Sequence, residues 1–145
     1  MAEEPGLVAA LRCGDHVAFD AVYERYRPRV FGFVLRMTGD RMLAEDLLQE
    51  TFLRLAATAR TLPPDTRLGP FLFTVARNLF VDQRRRALLD FDRIRDLRLW
   101  PSRPRRYEPT PLELSEASET ARRVEAALQS LPDSYREVVL LCAVE

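Results

Sequence analysis

With 145 residues, 47% of them apolar and 30% charged, the chain can bury the core of one ordinary domain, or of one small domain and part of a second. It lacks the roughly 18-residue apolar run that a membrane helix needs, and its acidic start, Met1 to Pro5, is no signal peptide. Cys13 and Cys142 are the only cysteines and have neither metal-ligand nor disulfide-framework spacing, which points to a reducing, cytoplasmic setting.

Nothing in the chain reads as a strand, so an all-α fold is expected. Leu7 to Arg12 forms a short first helix. Asp15 can cap a second, with Phe19, Val22, Tyr26, Val30, Phe33, Val34 and Met37 at helical spacing. Pro28 falls inside it and predicts a kink or a local break. Gly39 ends that helix, and Asp40 caps a third that runs to about Thr58. On the third helix Leu47, Leu48, Phe52 and Leu55 share one apolar stripe. Glu45, Asp46, Gln49 and Glu50 form an acid-and-amide patch on the opposite side. A solvated helix face usually mixes charge signs, and this one does not.

Arg60 to Gly69, with Pro63, Pro64 and Asp65, reads as a loop. Pro70 suits the first turn of a fourth helix, with Leu72, Val75, Ala76 and Leu79 inward, continuing with or without a break past Arg84, Arg85 and Arg86 to about Leu99. Trp100 to Pro111 carries four prolines and reads as a linker. A fifth helix is expected from about Glu113 to Gln129 and a sixth from Ser134 to Val144, begun by Leu131-Pro132-Asp133. Leu128, Leu131, Val138, Leu141 and Val144 make an apolar surface too small for a domain. The chain therefore reads as cut or ending partway through a second domain. Its tail is expected to be loosely held without a partner, and the linker to be the first site of cleavage.

The zero net charge hides an asymmetry. Residues 1–52 hold nine acids and six arginines, residues 53–107 thirteen arginines and five acids, and residues 108–145 three arginines and eight acids. A basic centre between acidic ends is a footprint for a polyanion. All 22 basic residues are arginine. A GC-rich genome accounts for that bias without function, although arginine is also the better residue for phosphate forks and base edges.

Several segments together resemble the second conserved region of bacterial sigma factors, nearest to the extracytoplasmic-function (ECF) group of the sigma-seventy family. They are Gly14-Asp15 through Phe19, Tyr23 to Val30, Thr38-Gly39-Asp40, and Ala44 to Phe52. Phe71 to Leu79, with Asp82 and Arg85, is similar to that domain's promoter-reading helix. Leu131 to Leu140 is similar to the opening of the fourth region. The match covers roughly residues 14–90 and 124–145. The chain departs from the pattern at Phe71, where the family usually has tryptophan, at Leu68, where it has an aromatic, and at Pro70. The resemblance implies a region-two domain over 1–99, a linker over 100–112, and the start of a region-four domain over 113–145. The helix-turn-helix that reads the minus-thirty-five element is expected to fall after Glu145, outside this chain.

The resemblance implies a transcription initiation factor that binds core RNA polymerase and recognises and helps melt the minus-ten promoter element through residues about 60–86. Asp46, Gln49, Glu50 and Glu45 match the patch that grips the clamp coiled coil of the β′ subunit. Taken alone, the patch reads as a plain solvated face. Phe52 reads as core rather than contact. Arg67, Phe71, Thr74, Arg77, Asn78, Arg84 and Arg85 match the face that meets the non-template strand. Asparagine can pair with a base edge, and arginines can hold phosphates. The plain alternatives are a polar surface residue and favourable charge near a helix end. Leu62 to Arg67 match the segment that captures a flipped base. Phe71 and Phe73 are candidate stacking platforms or core residues. His16 reads as structural. The family often works under an anti-sigma factor, and the resemblance extends that expectation here. No nucleophile–base set, metal set or phosphate loop is legible, so neither an enzyme nor a cofactor is expected. The rival reading is a truncated interaction module, or a fragment held by an anti-sigma factor, without promoter activity of its own. A weaker rival is a generic basic single-strand binder.

Overall fold

Where the sequence supplies an acceptor for free backbone amides, a helix begins. In the computed structural model, which describes residues 3–96 and 118–144, Asp15 accepts from the amides of Val17 (2.9 Å) and Ala18 (3.4 Å). Asp40 does the same for Met42 (3.0 Å) and Leu43 (3.2 Å). Between these caps, Gly39 takes the left-handed conformation (φ 67°) and returns its amide to the Leu35 carbonyl at 2.8 Å, closing one helix so that the next can start.

The result is all helical among the described residues: α1 (Glu4–Arg12), α2 (His16–Thr38), α3 (Arg41–Thr58), a 3-10 turn (Ala59–Thr61), α4 (Leu68–Asp96), α5 (Glu119–Ser130) and α6 (Asp133–Val144). The linker expected over 100–112 and the helix start expected near Glu113 lie outside the described residues. The fourth helix passes the arginine cluster without a break. So does α2 at Pro28, which rules out the break that was one of the two outcomes expected there. The proline stands on the exposed face, where water can take the Glu24 carbonyl that its missing N–H leaves free.

Helices α2, α3 and α4 pack on one another, and α1 lies across α2 and the 3-10 turn. Val22, Val30 and Val34 of α2, Leu55 of α3, and Leu68 and Leu72 of α4 are fully enclosed at their centre. Burying each such side chain contributes about 1.5–3 kcal/mol. Thr51 is also enclosed, and its hydroxyl donates to the Leu47 carbonyl at 2.7 Å. α1 does more than cover: the Glu4 carboxylate accepts from the Leu68 amide (2.6 Å), the first of α4, and from the Tyr26 hydroxyl (3.3 Å). Burial, and then the negative charge of Glu4, raise the Tyr26 phenol above its ordinary pKa.

The C-terminal hairpin overturns the expectation of a loosely held tail. α6 packs against α2 through Leu140, which joins the core, and through Arg136, which is buried. The Arg136 guanidinium donates to the carbonyls of Arg36 and Met37 at the end of α2 (3.3 Å each). It also donates to those of Leu128 (2.8 Å), Gln129 (3.2 Å) and Leu131 (2.8 Å) at the end of α5. Two helix C-termini, each with free carbonyls and partial negative charge, share one cation. Arg36 adds an ion pair with Glu125 at 2.7 Å. Val138, named in the sequence as part of an apolar surface too small for a domain, is 60% exposed. The face turned inward is the one carrying Arg136 and Leu140, one helical turn apart.

Candidate functional site

Two surfaces carry the candidate residues. The first is a groove of about 650 Å³ between α2 and α3. Its α3 wall presents Glu45, Asp46 and Gln49, all exposed, directly beside the enclosed Ala44, Leu47 and Leu48. Glu50 is exposed on the same helix and faces Arg54 at 3.6 Å, so part of its charge is met within the helix. The α2 wall brings Tyr23, Arg27, Pro28 and Phe31, and Arg41 closes the groove from the start of α3. Arg27 lies over the Tyr23 ring (5.7 Å) and Arg41 over the Phe31 ring (6.0 Å). The patch of one sign expected from α3 alone therefore sits in a groove of both signs with an aromatic wall. The arginines were missed because they come from outside the α3 stripe. The i, i+4, i+8 spacing of Tyr23, Arg27 and Phe31 along α2 was the available signal. Phe52 is core, edge-on to Tyr23 (4.8 Å) and Phe19 (6.5 Å).

The second surface is the outer face of α4. Thr74, Arg77, Asn78, Arg84 and Arg85 are all exposed, and their spacing places them on one stripe along the helix. The Asn78 side-chain oxygen accepts from Arg77 at 3.3 Å, and the Arg84 guanidinium lies over the Phe80 ring at 5.6 Å. Phe71 is half-buried at the start of the stripe. Phe73 is not on it: the ring is buried, edge-on to Phe33 at 5.6 Å, and is no stacking platform here. In the preceding loop Leu62 is buried, while Pro63, Pro64, Asp65 and Arg67 are exposed. Thr66 ties the loop into a turn by donating its amide (3.1 Å) and its hydroxyl (2.6 Å) to the Pro63 carbonyl. Leu68, which replaces the family's aromatic, is fully enclosed as the first residue of α4.

Two of these arginines are engaged from within the chain. Arg77 pairs with Glu137 and Arg84 with Asp133, both acids from α6. Sequence reasoning missed this because the partners lie about fifty and sixty positions away on the hairpin that was expected to hang free. Among the described residues no group of three or more histidines, cysteines, aspartates or glutamates is placed to hold a metal, and no helix is long and apolar enough to cross a membrane.

Among known proteins, the family description Sigma-70 region 2 matches residues 22–88. RNA polymerase sigma factor CarQ of Myxococcus xanthus is 36% identical over 135 residues, covering 92% of this chain and 74% of the relative. ECF RNA polymerase sigma factor SigM of Bacillus subtilis is 34% identical over 125 residues, covering 86% of this chain and 73% of the relative. This chain belongs to the ECF sigma factors of the sigma-70 family. ECF RNA polymerase sigma factor SigE of Mycolicibacterium smegmatis is a longer relative: the 143 matched residues, 32% identical, span 91% of this chain and 51% of that protein. Within this ECF sigma factor the region-two match runs from Val22 in α2 to Leu88 in α4. Both surfaces lie inside it, and α5 and α6 lie outside.

Proposed function

We propose that this ECF sigma factor seats the β′ clamp coiled coil of core RNA polymerase in the α2–α3 groove and reads the non-template strand of the minus-ten element with the outer face of α4. The observation that carries the reading is the division of α4. Leu72, Phe73 and Ala76 lock one side into the core, while Thr74, Arg77, Asn78, Arg84 and Arg85 stand together on the other. Such a helix holds polar side chains on a rigid support, and most of the stripe is cationic.

The two surfaces suit different partners. In the groove, carboxylates and an amide can pair with arginines of a partner helix by charge-assisted hydrogen bonds, while Arg27 and Arg41 favour one orientation. On α4, arginine contacts to phosphate give affinity without sequence preference. Preference comes from Asn78, which can hydrogen-bond a base edge, and from the exposed part of the 62–67 loop, which can hold a base swung out of the stack. Capturing that base offsets a few kcal/mol of unstacking and so assists melting. The decisive test is run-off transcription with core polymerase from a promoter carrying the minus-ten element, comparing this chain with one extended beyond Glu145. Transcription that depends on added chain and on the minus-ten sequence supports the reading. Polymerase binding with no promoter dependence in either form favours an interaction module instead.

Two mutational results follow. Asp46→Arg with Gln49→Ala should weaken binding to core polymerase by about tenfold or more and leave helicity unchanged, because both side chains are exposed. Equal capture by a β′ clamp fragment would remove the groove from the polymerase contact. On α4 the two classes of contact should separate. Arg84→Ala with Arg85→Ala should weaken binding to every single-stranded oligonucleotide and flatten its salt dependence. Asn78→Ala should cost roughly 1–3 kcal/mol on the preferred sequence and little on a scrambled one. Fluorescence anisotropy of the holoenzyme with both oligonucleotides across a salt series measures this. Equal weakening on the two sequences would make Asn78 a phosphate or structural residue.

A further inference from the structure

The first amide of α4 is capped from 64 positions away. The Arg67 carbonyl accepts from the Phe71 amide at 3.1 Å, so Arg67 holds the cap position of α4. An arginine side chain only donates, and it cannot accept from the free amides of that first turn. Thr66 is turned away, its hydroxyl donating to the Pro63 carbonyl. The acceptor is Glu4 on α1, where one carboxylate oxygen receives the Leu68 amide (2.6 Å) and the Tyr26 hydroxyl (3.3 Å). The Tyr26 ring lies beside the next residue of α4, Gly69, where a Cβ would stand 3.5 Å from Cε1. At the other end of the loop, α1 packs on the 3-10 turn that runs into the buried Leu62. Both ends of the 62–67 loop therefore lean on α1, while Pro63, Pro64, Asp65 and Arg67 stay exposed between them.

We propose that Glu4 is a positioning residue for base capture: from α1 it fixes where α4 begins, and with that the shape of the 62–67 loop, without touching the strand itself. The inference rests on the reading of that loop as the holder of a base swung out of the stack. A local cap would have put serine, threonine, aspartate or asparagine at position 67. The remote cap leaves that position to an arginine, which is exposed and can hold a phosphate beside the captured base. A pocket for an unstacked base gains from existing before the base arrives, because ordering the loop on binding would add to the cost of unstacking. α1 does not depend on the Glu4 contact for its own place, since Leu7, Val8 and Leu11 hold it in the core. Removal of the carboxylate should therefore loosen the loop and leave the helices packed.

The test uses holoenzyme and a set of labelled single-stranded minus-ten oligonucleotides, one intact and the others abasic at one position each. The position at which an abasic site weakens binding to the unmutated protein most is that of the captured base. Glu4→Ala should weaken binding of the intact oligonucleotide about fivefold, the worth of one ordinary hydrogen bond. It should leave binding of the oligonucleotide abasic at that position unchanged, because the loop then has no base to hold. Glu4→Gln keeps an oxygen that can accept from the Leu68 amide and should recover most of the lost affinity. A purely structural role would weaken the intact and abasic oligonucleotides alike. That result, or no weakening of either, overturns the proposal. A Glu4→Gln protein that binds no better than Glu4→Ala overturns the cap as the cause. If no abasic position weakens the unmutated holoenzyme more than the rest, the loop captures no base, and the inference falls with that reading.

Discussion

Arg136→Ala should release the α5–α6 hairpin from the rest of the protein while α1 to α4 stay folded. The side chain is 9% exposed and donates to five carbonyls drawn from two helix ends. Hydrogen bonds to a charged donor contribute more than neutral ones, and truncation leaves their acceptors without a partner inside the interface. The hairpin escapes that penalty by undocking, which returns the carbonyls to water, so the loss is limited to the docking free energy, about 2–3 kcal/mol. Hydrogen exchange should then show α6 unprotected and α3 unchanged. Arg136→Lys should recover only part of the protection, since an ammonium cannot reach both helix ends as a planar fork does. Retained α6 protection in Arg136→Ala would mean that Leu140 and the flanking ion pairs hold the hairpin without it.

That arginine also marks where sequence reading stopped. Local rules located the caps Asp15 and Asp40, the Gly39 stop, the end of α3 at Thr58 and the inward Leu72, Ala76 and Leu79, because each depends on residues within a turn or two of itself. The acidic patch and the α4 stripe were legible for the same reason. The apolar spacing of the tail showed no anchor for it, so the tail was expected to be loosely held, and the buried Arg136 that docks it was not foreseen. Whether an arginine can be buried depends on carbonyl groups that meet it from about a hundred residues away, and no local pattern carries that. The occupation of Arg77 and Arg84 was hidden alike. At Pro28 the local break does not occur, since a proline rule applied along the chain takes no account of which face the ring is on. At Phe71 and Phe73, stacking and packing both call for an aromatic, and only the rotation of α4 separates them.

Phe73→Ala should therefore be the most destabilising change on α4, and Phe71→Ala should not. The two residues are two positions apart on a helix, roughly 200° around its axis. Phe73 points into the core against Phe33, ring edge to ring face, whereas Phe71 keeps part of its ring in solvent. Removing a buried phenyl costs about 3–5 kcal/mol through lost transfer energy and the cavity left behind. The edge-to-face pair with Phe33 contributes roughly 0.5–1.5 kcal/mol of coupling beyond area, so Phe33→Leu with Phe73→Leu should cost less than the two single changes added. Thermal unfolding should show a fall of about 10 °C or more for Phe73→Ala, given several degrees per kcal/mol in a domain of this size. Phe71→Ala should leave the midpoint near that of the unmutated protein and lower oligonucleotide affinity by about 1–3 kcal/mol if its ring stacks on a base. A Phe73→Ala protein that melts with the unmutated one, yet binds the oligonucleotide poorly, would reverse the assignment and make Phe73 the stacking residue after all.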